Sequence, residues 1–485
     1  MIRPVIFAIG ILIIALGALM GIPATVDALQ GNADWEAFAG ASGISIFLGV
    51  GLAVSCRGAP TNMGLREGYL LTVGSWVALS VTAALPFWFS SLNISFTDAL
   101  FEAVSGLTTT GSTVLSGLDN MPPGLLLWRA ILQWIGGIGI LVMAVSILPF
   151  LRVGGMQLYR MESSDHSEKL TPRVVDMALK LFAVYISLTL ICAATYWAFG
   201  MSGFEAIVHA MTTLSTGGFS TSDQSLGHFT RPATQWTAII FMLCASLPFP
   251  VYVNFIRRFD FAVFSKDSQI RTFIYYTSIF IIVLGGWLVF IRQIPPDEAL
   301  RLAAFHVVSI LSTTGYATAD YLGWGTFVPM LFLSITLLGG CAGSTAGGIK
   351  AFRLQIMFLE MKRQCRILIY PHGVFQSKLD GRTVSESLVT SVMIFFFLLV
   401  MTIFGITLLL SALGVDFESA LSAAATSVAN VGPGIGEIIG PAGNFKSLPN
   451  GAKWILDFGM ITGRLEIFTI LTLFLPRHWE DLVFE

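Results

Sequence analysis

The stretch Phe-Glu-Ala-Val-Ser-Gly-Leu-Thr-Thr-Thr-Gly at residues 101–111 has a second copy, Phe-His-Val-Val-Ser-Ile-Leu-Ser-Thr-Thr-Gly, at residues 305–315. Both begin with an apolar residue ten positions before the glycine, and Val, Ser, Leu and two Thr match in place. Weaker copies run over residues 207–217 and 422–432. The four final glycines, Gly111, Gly217, Gly315 and Gly432, are 106, 98 and 117 residues apart. A period of about one hundred residues predicts four copies of one structural unit.

The composition is that of a membrane protein. The chain has 485 residues, of which 55% are hydrophobic and 12% charged, and its mean hydropathy is +0.78. Soluble domains carry about 25% charged residues, so we predict a polytopic membrane protein, and the net charge of -2 does not oppose this. The five cysteines are scattered without a C-x-x-C pair or a histidine at metal spacing. A disulfide framework or a zinc site is therefore not predicted.

Two apolar segments precede the first repeat. The run from Val5 to Ala24 follows a single positive charge, Arg3. It is longer than the ~7–15 apolar residues of a signal peptide and long enough to span a bilayer, so we predict a retained transmembrane helix. A second span is predicted from Gly43 to Val54.

Each repeat then has the same order: a long apolar helix, a shorter amphipathic stretch, a Thr/Ser-rich glycine and a second long helix. The amphipathic stretches, with ~10–14 residues, are too short to cross ~30 Å of hydrocarbon, so we predict half-helices that re-enter the membrane. The first helices are predicted at Tyr69–Trp88, Val175–Phe199, Phe273–Ile291 and Val389–Leu413, and the second at Leu125–Leu151, Thr237–Phe255, Phe327–Phe358 and Trp454–Leu475. The predicted segments are 1–62 for the N-terminal pair and 63–165, 166–265, 266–372 and 373–485 for the repeats.

The distribution of basic residues predicts the orientation. Of the 27 lysines and arginines, 20 fall on one side of the predicted spans, which by the positive-inside rule is the cytoplasm. Both termini are then cytoplasmic, all four half-helices enter from outside, and the chain crosses the membrane ten times.

Four re-entrant loops from one side predict an ion path. Non-helical backbone at membrane depth is stable only when it is buried in protein or lines a water-filled cavity. Loops that meet on one axis can offer carbonyl oxygens in place of an ion's water shell, and glycine allows the required dihedral angles. The half-helices aim their negative ends at the same axis, which favours a cation. Without a ring of carboxylates, the oxygens suit a monovalent ion better than Ca²⁺ or Mg²⁺.

Two simpler interpretations compete with single features of this pattern. A lone Thr-Thr-Gly is common where membrane helices pack closely, but four aligned copies favour the pore. Acidic residues near the outer ends could concentrate cations, although each alone is more simply a solvated loop residue or a helix cap. These residues are Asp98, Glu102, Asp119, Glu205, Asp223, Asp297, Glu298, Asp320, Glu418 and Glu437.

At these residues the sequence resembles the Trk/Ktr/HKT superfamily of potassium transporters. Thr314-Gly315-Tyr316 is similar to a degraded T-V-G-Y-G filter, and residues 430–434, Asn-Val-Gly-Pro-Gly, are similar to the family's fourth loop. The resemblance covers residues 69–475, and the length and the extra N-terminal helices fit the TrkH/TrkG branch. One departure is that Thr113, Phe219 and Ala317 occupy the place of the second filter glycine in three repeats.

The resemblance implies an all-α polytopic membrane protein with four concatenated helix–pore-loop–helix repeats in a pseudo-fourfold arrangement around one ion pore. It implies a bacterial inner-membrane location, a homodimer and a TrkA-like cytosolic nucleotide-binding ring, with membrane lipid around the protein and no nucleic acid. It assigns a K⁺ filter to Thr109, Thr110, Gly111, Ser215, Thr216, Gly217, Thr313, Thr314, Gly315, Asn430, Val431 and Gly432.

Two features of single repeats are predicted to regulate the path. Residues 339–350 hold five glycines, which are unfavourable in a helix by about 1 kcal/mol each relative to alanine. The segment resembles an intramembrane loop that blocks the pore in this family, with Gly343, Ser344, Thr345, Ala346 and Gly347 at its centre; the alternative is a small-residue packing face. Arg464 is an intramembrane charge, which by default indicates function. Its alternative is a structural arginine held by Asp457 or Glu466.

We therefore predict the ion-translocating subunit of a potassium uptake system that moves K⁺ and Rb⁺, with K⁺ as its ion and no organic cofactor. The alternative is a secondary carrier of another monovalent cation, by Na⁺, Na⁺/K⁺ or H⁺/K⁺ symport. Inverted repeats are typical of carriers, whereas these four repeats share one orientation. An enzyme is not predicted, because H-E-x-x-H, G-x-S-x-G and P-loop signatures are absent from the sequence.

Overall fold

The computed structural model describes residues 2–58, 64–146, 170–436 and 438–474. Three predicted features extend beyond these ranges: the end of the helix predicted to reach Leu151, the acidic residue Glu437, and Leu475 at the end of the last predicted helix. The predicted boundaries near residues 62 and 165 also lie outside the described residues.

The N-terminal region forms helices α1 (Arg3–Leu19), α2 (Gly21–Leu29) and α3 (Trp35–Ser55). The first two together have the length and hydropathy of one span, and α3 is a second span that begins before the predicted Gly43. A Cβ on Gly10 would lie 2.8 Å from the carbonyl oxygen of Gly49. Glycine thus permits α1 and α3 to approach closely, as is common between membrane helices.

Two carboxylates, Asp27 and Asp34, connect the N-terminal helices to the first repeat through hydrogen bonds. Asp27 Oδ1 accepts a hydrogen bond from Gly124 N at 2.7 Å, at the start of the repeat's second helix. Asp34 accepts hydrogen bonds from the backbone N and the hydroxyl of Ser91, both at 2.8 Å. A carboxylate near a helix N-terminus is favoured by the exposed N–H groups and the helix dipole, which explains the position of Asp27.

The four repeats follow in the predicted order. The first helices are α4 (Leu65–Phe89), α7 (Leu170–Ala198), α12 (Ser268–Phe290) and α16 (Glu386–Ala412). The half-helices are α5 (Phe96–Leu107), α8 (Gly203–Leu214), α13 (Pro296–Leu311) and α17 (Phe417–Ala429). The half-helices have 12, 12, 16 and 13 residues. At ~1.5 Å per residue none crosses the bilayer core.

Local sequence explains where the half-helices begin. Ser95, Ser202 and Asp416 cap the free N–H groups of their helices, and such caps stabilise a helix by about 1 kcal/mol. The third half-helix instead starts at Pro296, whose fixed φ suits the first helical position.

The second helices differ from the prediction in two repeats. They are α6 (Pro123–Ser146), the pair α9 (Pro232–Ala245) and α10 (Phe249–Arg258), the pair α14 (Phe327–Thr336) and α15 (Ala351–Ile369), and the pair α18 (Asn450–Arg464) and α19 (Ile467–Leu473). A break was predicted in the third repeat alone, so the continuous helices predicted at Thr237–Phe255 and Trp454–Leu475 are wrong. Pro248 and Pro250 lack the N–H groups that would continue a helix, and α9 and α10 meet at 92°. In the fourth repeat, Glu466 takes a left-handed φ of 60°.

The fold class is nevertheless that of an all-α polytopic membrane protein. Among the described residues, seven helices are long and apolar enough to span a membrane, or eight if the bent α9–α10 pair counts as one. The predicted total of ten also needs the broken second helices of the third and fourth repeats. The remaining short elements of the described residues are α11 (Ala262–Lys266), a hairpin of β1 (Lys378–Leu379) and β2 (Arg382–Thr383), and four 3-10 helices at Leu118–Asn120, Ser225–His228, Tyr321–Trp324 and Phe445–Ser447.

Burial places the half-helices at the centre. Every residue from Ala99 to Leu107 in α5 is buried, as is nearly every residue of α17. The most apolar window of α6 is 72% buried, whereas that of α12 is 22% buried. The first helices therefore face the surroundings, and the half-helices with the loops after them form the interior.

Candidate functional site

The four half-helices end in the same backbone motif. Thr109, Thr216, Thr313 and Asn430 have left-handed φ angles of 55°, 54°, 57° and 55°. The next residue in each repeat donates its N–H to the carbonyl five positions earlier, as Thr110 does to Ser105 at 2.9 Å and Val431 to Thr426 at 3.1 Å. This is a Schellman helix end, in which glycine is usual at the left-handed position. A β-branched threonine is sterically disfavoured there, and strain of this kind is typical of functional sites.

Two residues further on, each repeat has a glycine that meets the neighbouring repeat. Gly111, Gly218, Gly315 and Gly432 have φ angles of 88°, 79°, 81° and 107°. A Cβ on these glycines would come under 3.0 Å from the carbonyl oxygens of Gly217, Thr314, Val431 and Thr110, respectively. Repeat 1 thus meets repeat 2, repeat 2 meets repeat 3, repeat 3 meets repeat 4, and repeat 4 meets repeat 1. The contacts close a four-strand ring in which a side chain has no room.

The ring corrects the predicted register of the second repeat by one residue. Gly218, rather than Gly217, has the left-handed φ and the contact with the next repeat. Ser215 is the C-cap of α8, outside the ring strand. The sequence Ser-Thr-Gly-Gly allows either glycine to be matched, and the end of the helix selects the second. Thr216, Gly217 and Gly218 therefore correspond to Thr109, Thr110 and Gly111, and the other predicted residues keep their places.

We call the side from which the half-helices enter the outer side, and the opposite side the inner side. On the outer side a cavity of about 290 Å³ opens directly above the ring, and its lining includes all four ring glycines but not Gly217. Its lining is mixed: it includes the hydroxyls of Ser112, Ser220 and Ser222 together with apolar side chains such as Phe219 and Ile439. A hydrated ion can therefore reach the ring from this side.

Most of the acidic residues predicted at this mouth have structural partners. Asp223 lines the cavity, and its carboxylate accepts hydrogen bonds from Gly117 N at 2.8 Å and Leu118 N at 3.2 Å. The pKa of Asp119 is lowered, chiefly by a hydrogen bond from the Ser222 hydroxyl. Asp98 pairs with Lys453 at 2.6 Å, and Glu205 completes a capping box. The helix-cap interpretation thus fits several of these residues better than cation attraction does.

Glu102 and Arg129 form a buried ion pair next to the ring, which we call the brace. This pairing was not predicted from the sequence. Arg129 Nε donates to Glu102 at 2.7 Å, and Arg129 Nη1 donates to Ser220 O at 2.9 Å. Glu102 also accepts a hydrogen bond from Val114 N at 3.0 Å. The guanidinium lies 4.0 Å from the centre of the Phe219 ring. The pair therefore joins the strands that follow Gly111 and Gly218. Its signal was a charge of each sign near or within membrane segments.

We expect Glu102→Gln to lower the stability of the folded protein by about 3–5 kcal/mol, because it leaves the Arg129 charge buried without its partner. Thermal unfolding in detergent measures the change. The matched control is Asp176→Asn, which removes the ion pair between Asp176 and Lys180. The side chains of Asp176 and Lys180 are 62% and 55% exposed, and exposed pairs contribute about 0–1 kcal/mol. Equal melting temperatures for the two variants would show that the brace is dispensable.

On the inner side, the glycine-rich loop (residues 339–350) crosses beneath the ring. Thr345 Oγ1 donates to Leu214 O at 3.0 Å or Ala245 O at 3.1 Å. Gly347 N donates to Thr313 Oγ1 at 2.7 Å, and Gly348 N donates to Ala429 O at 3.1 Å. The loop thus contacts the ends of α8 and α17 and the left-handed residue of the third repeat. It therefore contacts the second, third and fourth repeats on the inner side of the ring.

Arg464 fastens the loop from the fourth repeat. The residue is buried at 4% exposure, and its Nη1 donates to Thr345 O at 2.9 Å while Nη2 approaches Gly136 O at 3.4 Å. Glu466 instead binds Arg353 at 2.6 Å. Among the described residues, the carboxylate of Asp457 has no hydrogen-bond partner. The interpretation in which Asp457 or Glu466 holds Arg464 is therefore wrong.

The ring supplies neutral oxygens. Thr109 Oγ1 and Asn430 Oδ1, at equivalent positions of two adjacent repeats, are buried and have no hydrogen-bond partner among the described residues. The described part of the chain also holds no group of three or more His, Cys, Asp or Glu side chains placed to bind a metal. Backbone carbonyls with two free side-chain oxygens suit a dehydrated monovalent cation, which would pass as cargo.

Comparisons with known proteins agree along the whole chain. The family model described as "TrkH: Cation transport protein" matches residues 36–483. The Trk system potassium uptake protein TrkI of Halomonas elongata is 43% identical over 484 residues, covering 99% of this chain and 97% of the relative. TrkH of Escherichia coli K12 is 37% identical over 486 residues, covering 99% of each chain. The crystal structure of the potassium transporter TrkH from Vibrio parahaemolyticus superposes with a TM-score of 0.91 at 35% identity, covering 99% of this chain and 100% of that one.

Proposed function

Because this chain belongs to the TrkH family of cation transport proteins, which are transporters and not enzymes, we propose that it is the ion-translocating subunit of a potassium uptake system. The ions are K⁺ and Rb⁺, and the path runs from the outer cavity through the four-strand ring. The observation that supports this most is the closed ring of contacts from each glycine to the next repeat's carbonyl. The potassium uptake named for TrkI, TrkH and TrkG is consistent with it.

In the proposed mechanism the ring replaces the water shell of the ion. The proposed ligands are the carbonyls of Thr110, Gly217, Thr314 and Val431 and those of the ring glycines, with Thr109 Oγ1 and Asn430 Oδ1 at the innermost position. The carbonyls of Gly217 and Gly432 also accept hydrogen bonds, from Gln133 Nε2 at 2.7 Å and Ser112 Oγ at 2.9 Å. The C-terminal ends of the four half-helices add negative potential at the same place. Because no carboxylate is involved, the ion is held weakly enough to leave, as conduction requires.

The proposed setting is a bacterial inner membrane with both termini in the cytoplasm, so that the outer cavity faces outward. The excess of basic residues on the inner side supports this orientation. We further propose a homodimer that works with a TrkA-like cytosolic ring, since the relatives are named as parts of a Trk system. The N-terminal pair and the first helices present apolar faces to lipid.

Flux of ⁸⁶Rb⁺ into proteoliposomes that contain this chain alone tests the proposal. We expect uptake that K⁺ inhibits strongly and that Na⁺ and Li⁺ inhibit weakly. Uptake that requires a Na⁺ or a proton gradient would favour the alternative, a symporter. Equal inhibition by K⁺, Na⁺ and Li⁺ would exclude the ring as a selective filter.

We expect deletion of residues 343–347 to raise basal Rb⁺ flux without changing ion preference. The deletion removes Thr345 and Gly347, whose hydrogen bonds hold the loop across the inner exit. Flux per folded protein is the measurement, and Gly405→Ala is the control, because a Cβ there meets nothing within 4 Å. Wild-type flux through a folded deletion variant would make the loop a packing element and place the barrier elsewhere.

A further inference from the structure

A small cavity of about 40 Å³ lies against the glycine-rich loop, between it and residues of the fourth repeat. Since one buried water needs roughly 10–15 Å³, the space accepts a small ion with little accompanying water. The loop contributes Ser344 and Gly347, and the end of the fourth half-helix contributes Asn430. The lining also includes four charged side chains, Lys350, Arg353, Arg464 and Glu466, and its remaining residues are apolar or glycine.

The charges around this cavity do not balance. Arg353 is matched by Glu466 at 2.6 Å, and its guanidinium also lies 3.9 Å from the centre of the Phe395 ring. Lys350 and Arg464 have no ion-pair partner among the described residues. Two positive charges are therefore left over in a lining that holds one acidic group, and that group is already engaged.

Arg464 also has an unused donor. Its two terminal nitrogens reach the carbonyls of Thr345 and Gly136, but Nε, in a side chain at 4% exposure, has no hydrogen-bond partner in the described structure. An unpaired charge in a low-dielectric interior is costly, and breaking a buried pair is strongly destabilising for the same reason. Carbonyl groups offer only partial charges in return. The cavity thus presents two cationic groups and a free N–H to a space of ionic size.

We propose that this cavity binds a small inorganic anion of halide size, between Arg464 Nε and the Lys350 ammonium group. The volume excludes a nucleotide, and the ligands of the anion would be the free Nε–H of Arg464 and the ammonium group of Lys350. Its consequence for transport depends on the proposed function: the anion offsets the repulsion that Arg464 exerts on a cation leaving the ring. Halide on the inner side should therefore increase K⁺ flux.

Bromide provides a direct test that does not depend on transport. Crystals of the full-length protein grown in sodium bromide should show an anomalous scattering peak in the cavity. Lys350→Gln should remove the peak, whereas Lys350→Arg, which keeps the charge, should retain it. A cavity without a bromide peak in the wild-type protein overturns the proposal. So does a peak of equal height in Lys350→Gln, which would indicate an adventitious ion only.

The second test is ⁸⁶Rb⁺ flux at constant ionic strength with chloride or gluconate on the inner face. We expect a severalfold loss of wild-type flux in gluconate and a much smaller ratio in Lys350→Gln. A wild-type flux that is the same in both salts contradicts the functional part, even where bromide binds. If the chain does not transport Rb⁺ at all, the proposed function fails while the bromide experiment still decides the anion site.

Discussion

Gly218→Ser is expected to abolish the preference for K⁺ over Na⁺. Gly218 has a φ of 79°, and a Cβ would come under 3.0 Å from the Thr314 carbonyl oxygen, so the ring strand must move. A shift that removes about 1.4 kcal/mol of differential binding already costs tenfold in selectivity. Inhibition of ⁸⁶Rb⁺ uptake by K⁺ and Na⁺ measures it. Gly315→Ser should act in the same way, because its φ and its contact with Val431 are equivalent.

Two control variants separate this effect from general damage. At Gly323, in a turn of the same protein face, a Cβ meets nothing within 4 Å, so Gly323→Ala should keep wild-type selectivity. At Gly217, a Cβ meets the buried Gln133 side chain instead of the next repeat's backbone. The substitution then disturbs the hydrogen bonds of Gln133 with Gly217 O and Phe219 N, but not the contact with the next repeat. Gly217→Ala should therefore have a smaller effect than Gly218→Ser. A larger loss of selectivity in Gly217→Ala than in Gly218→Ser would instead support Gly217 as the filter glycine, as the sequence predicted.

The repeat architecture could be predicted because it follows from the apolar composition and from the period of about one hundred residues. Four copies of a segment too short to span a membrane, each followed by a Thr/Ser-rich glycine, indicate re-entrant loops. The register at Gly217-Gly218 could not be predicted, since both glycines fit the pattern. The choice depends on where α8 stops, and that is set by the hydrogen bond from Gly217 N to Thr212 O at 2.9 Å and by contact with the next repeat.

The broken helices show a second limit. Apolar residues resume directly after residues 246–248 and after Glu466, so a count of apolar residues joins helices that the backbone separates. Pro248 was a usable signal, whereas Glu466 gave none. The ion pair between Glu102 and Arg129 was equally hidden: the two residues lie 27 positions apart, and the residue pattern indicated their side of the membrane but not their contact. The partners of Arg464 are the backbone carbonyls of Thr345 and Gly136. Every residue has a backbone carbonyl, so the sequence could not identify these two.

The breaks in the second helices have a shared role. The break in the third repeat contains the loop, and that in the second repeat lies next to it: Cys341 N donates to Ser246 O, and Phe249 N donates to Gly343 O, both at 2.9 Å. Arg464 ends α18 immediately before the fourth-repeat break. A helix that ends at this depth exposes carbonyls and N–H groups that need partners. The loop supplies them, so its position and the broken helices depend on each other.

We expect Arg464→Ala to raise cation flux per folded protein more than any other single substitution near the ring. At an effective dielectric of about 20, two unit charges 4 Å apart interact by about 4 kcal/mol. Since about 1.4 kcal/mol changes a rate tenfold, even a partial loss of this repulsion predicts a rise of tens-fold or more. The substitution also removes the hydrogen bond to Thr345 O at 2.9 Å, which frees the loop. Both consequences act in the same direction.

Arg464→Lys separates the charge from the hydrogen-bond geometry. Lysine keeps the positive charge but lacks the planar fork, so it cannot reach the carbonyls of both Thr345 and Gly136 as arginine does. Its flux should stay near the wild-type value, with a less stable loop. Arg363→Ala, which removes an i,i+3 pair with Glu360, is the control and should leave the flux unchanged. A purely structural Arg464 gives the opposite pattern, in which both substitutions lower expression and melting temperature and neither raises Rb⁺ flux per folded protein.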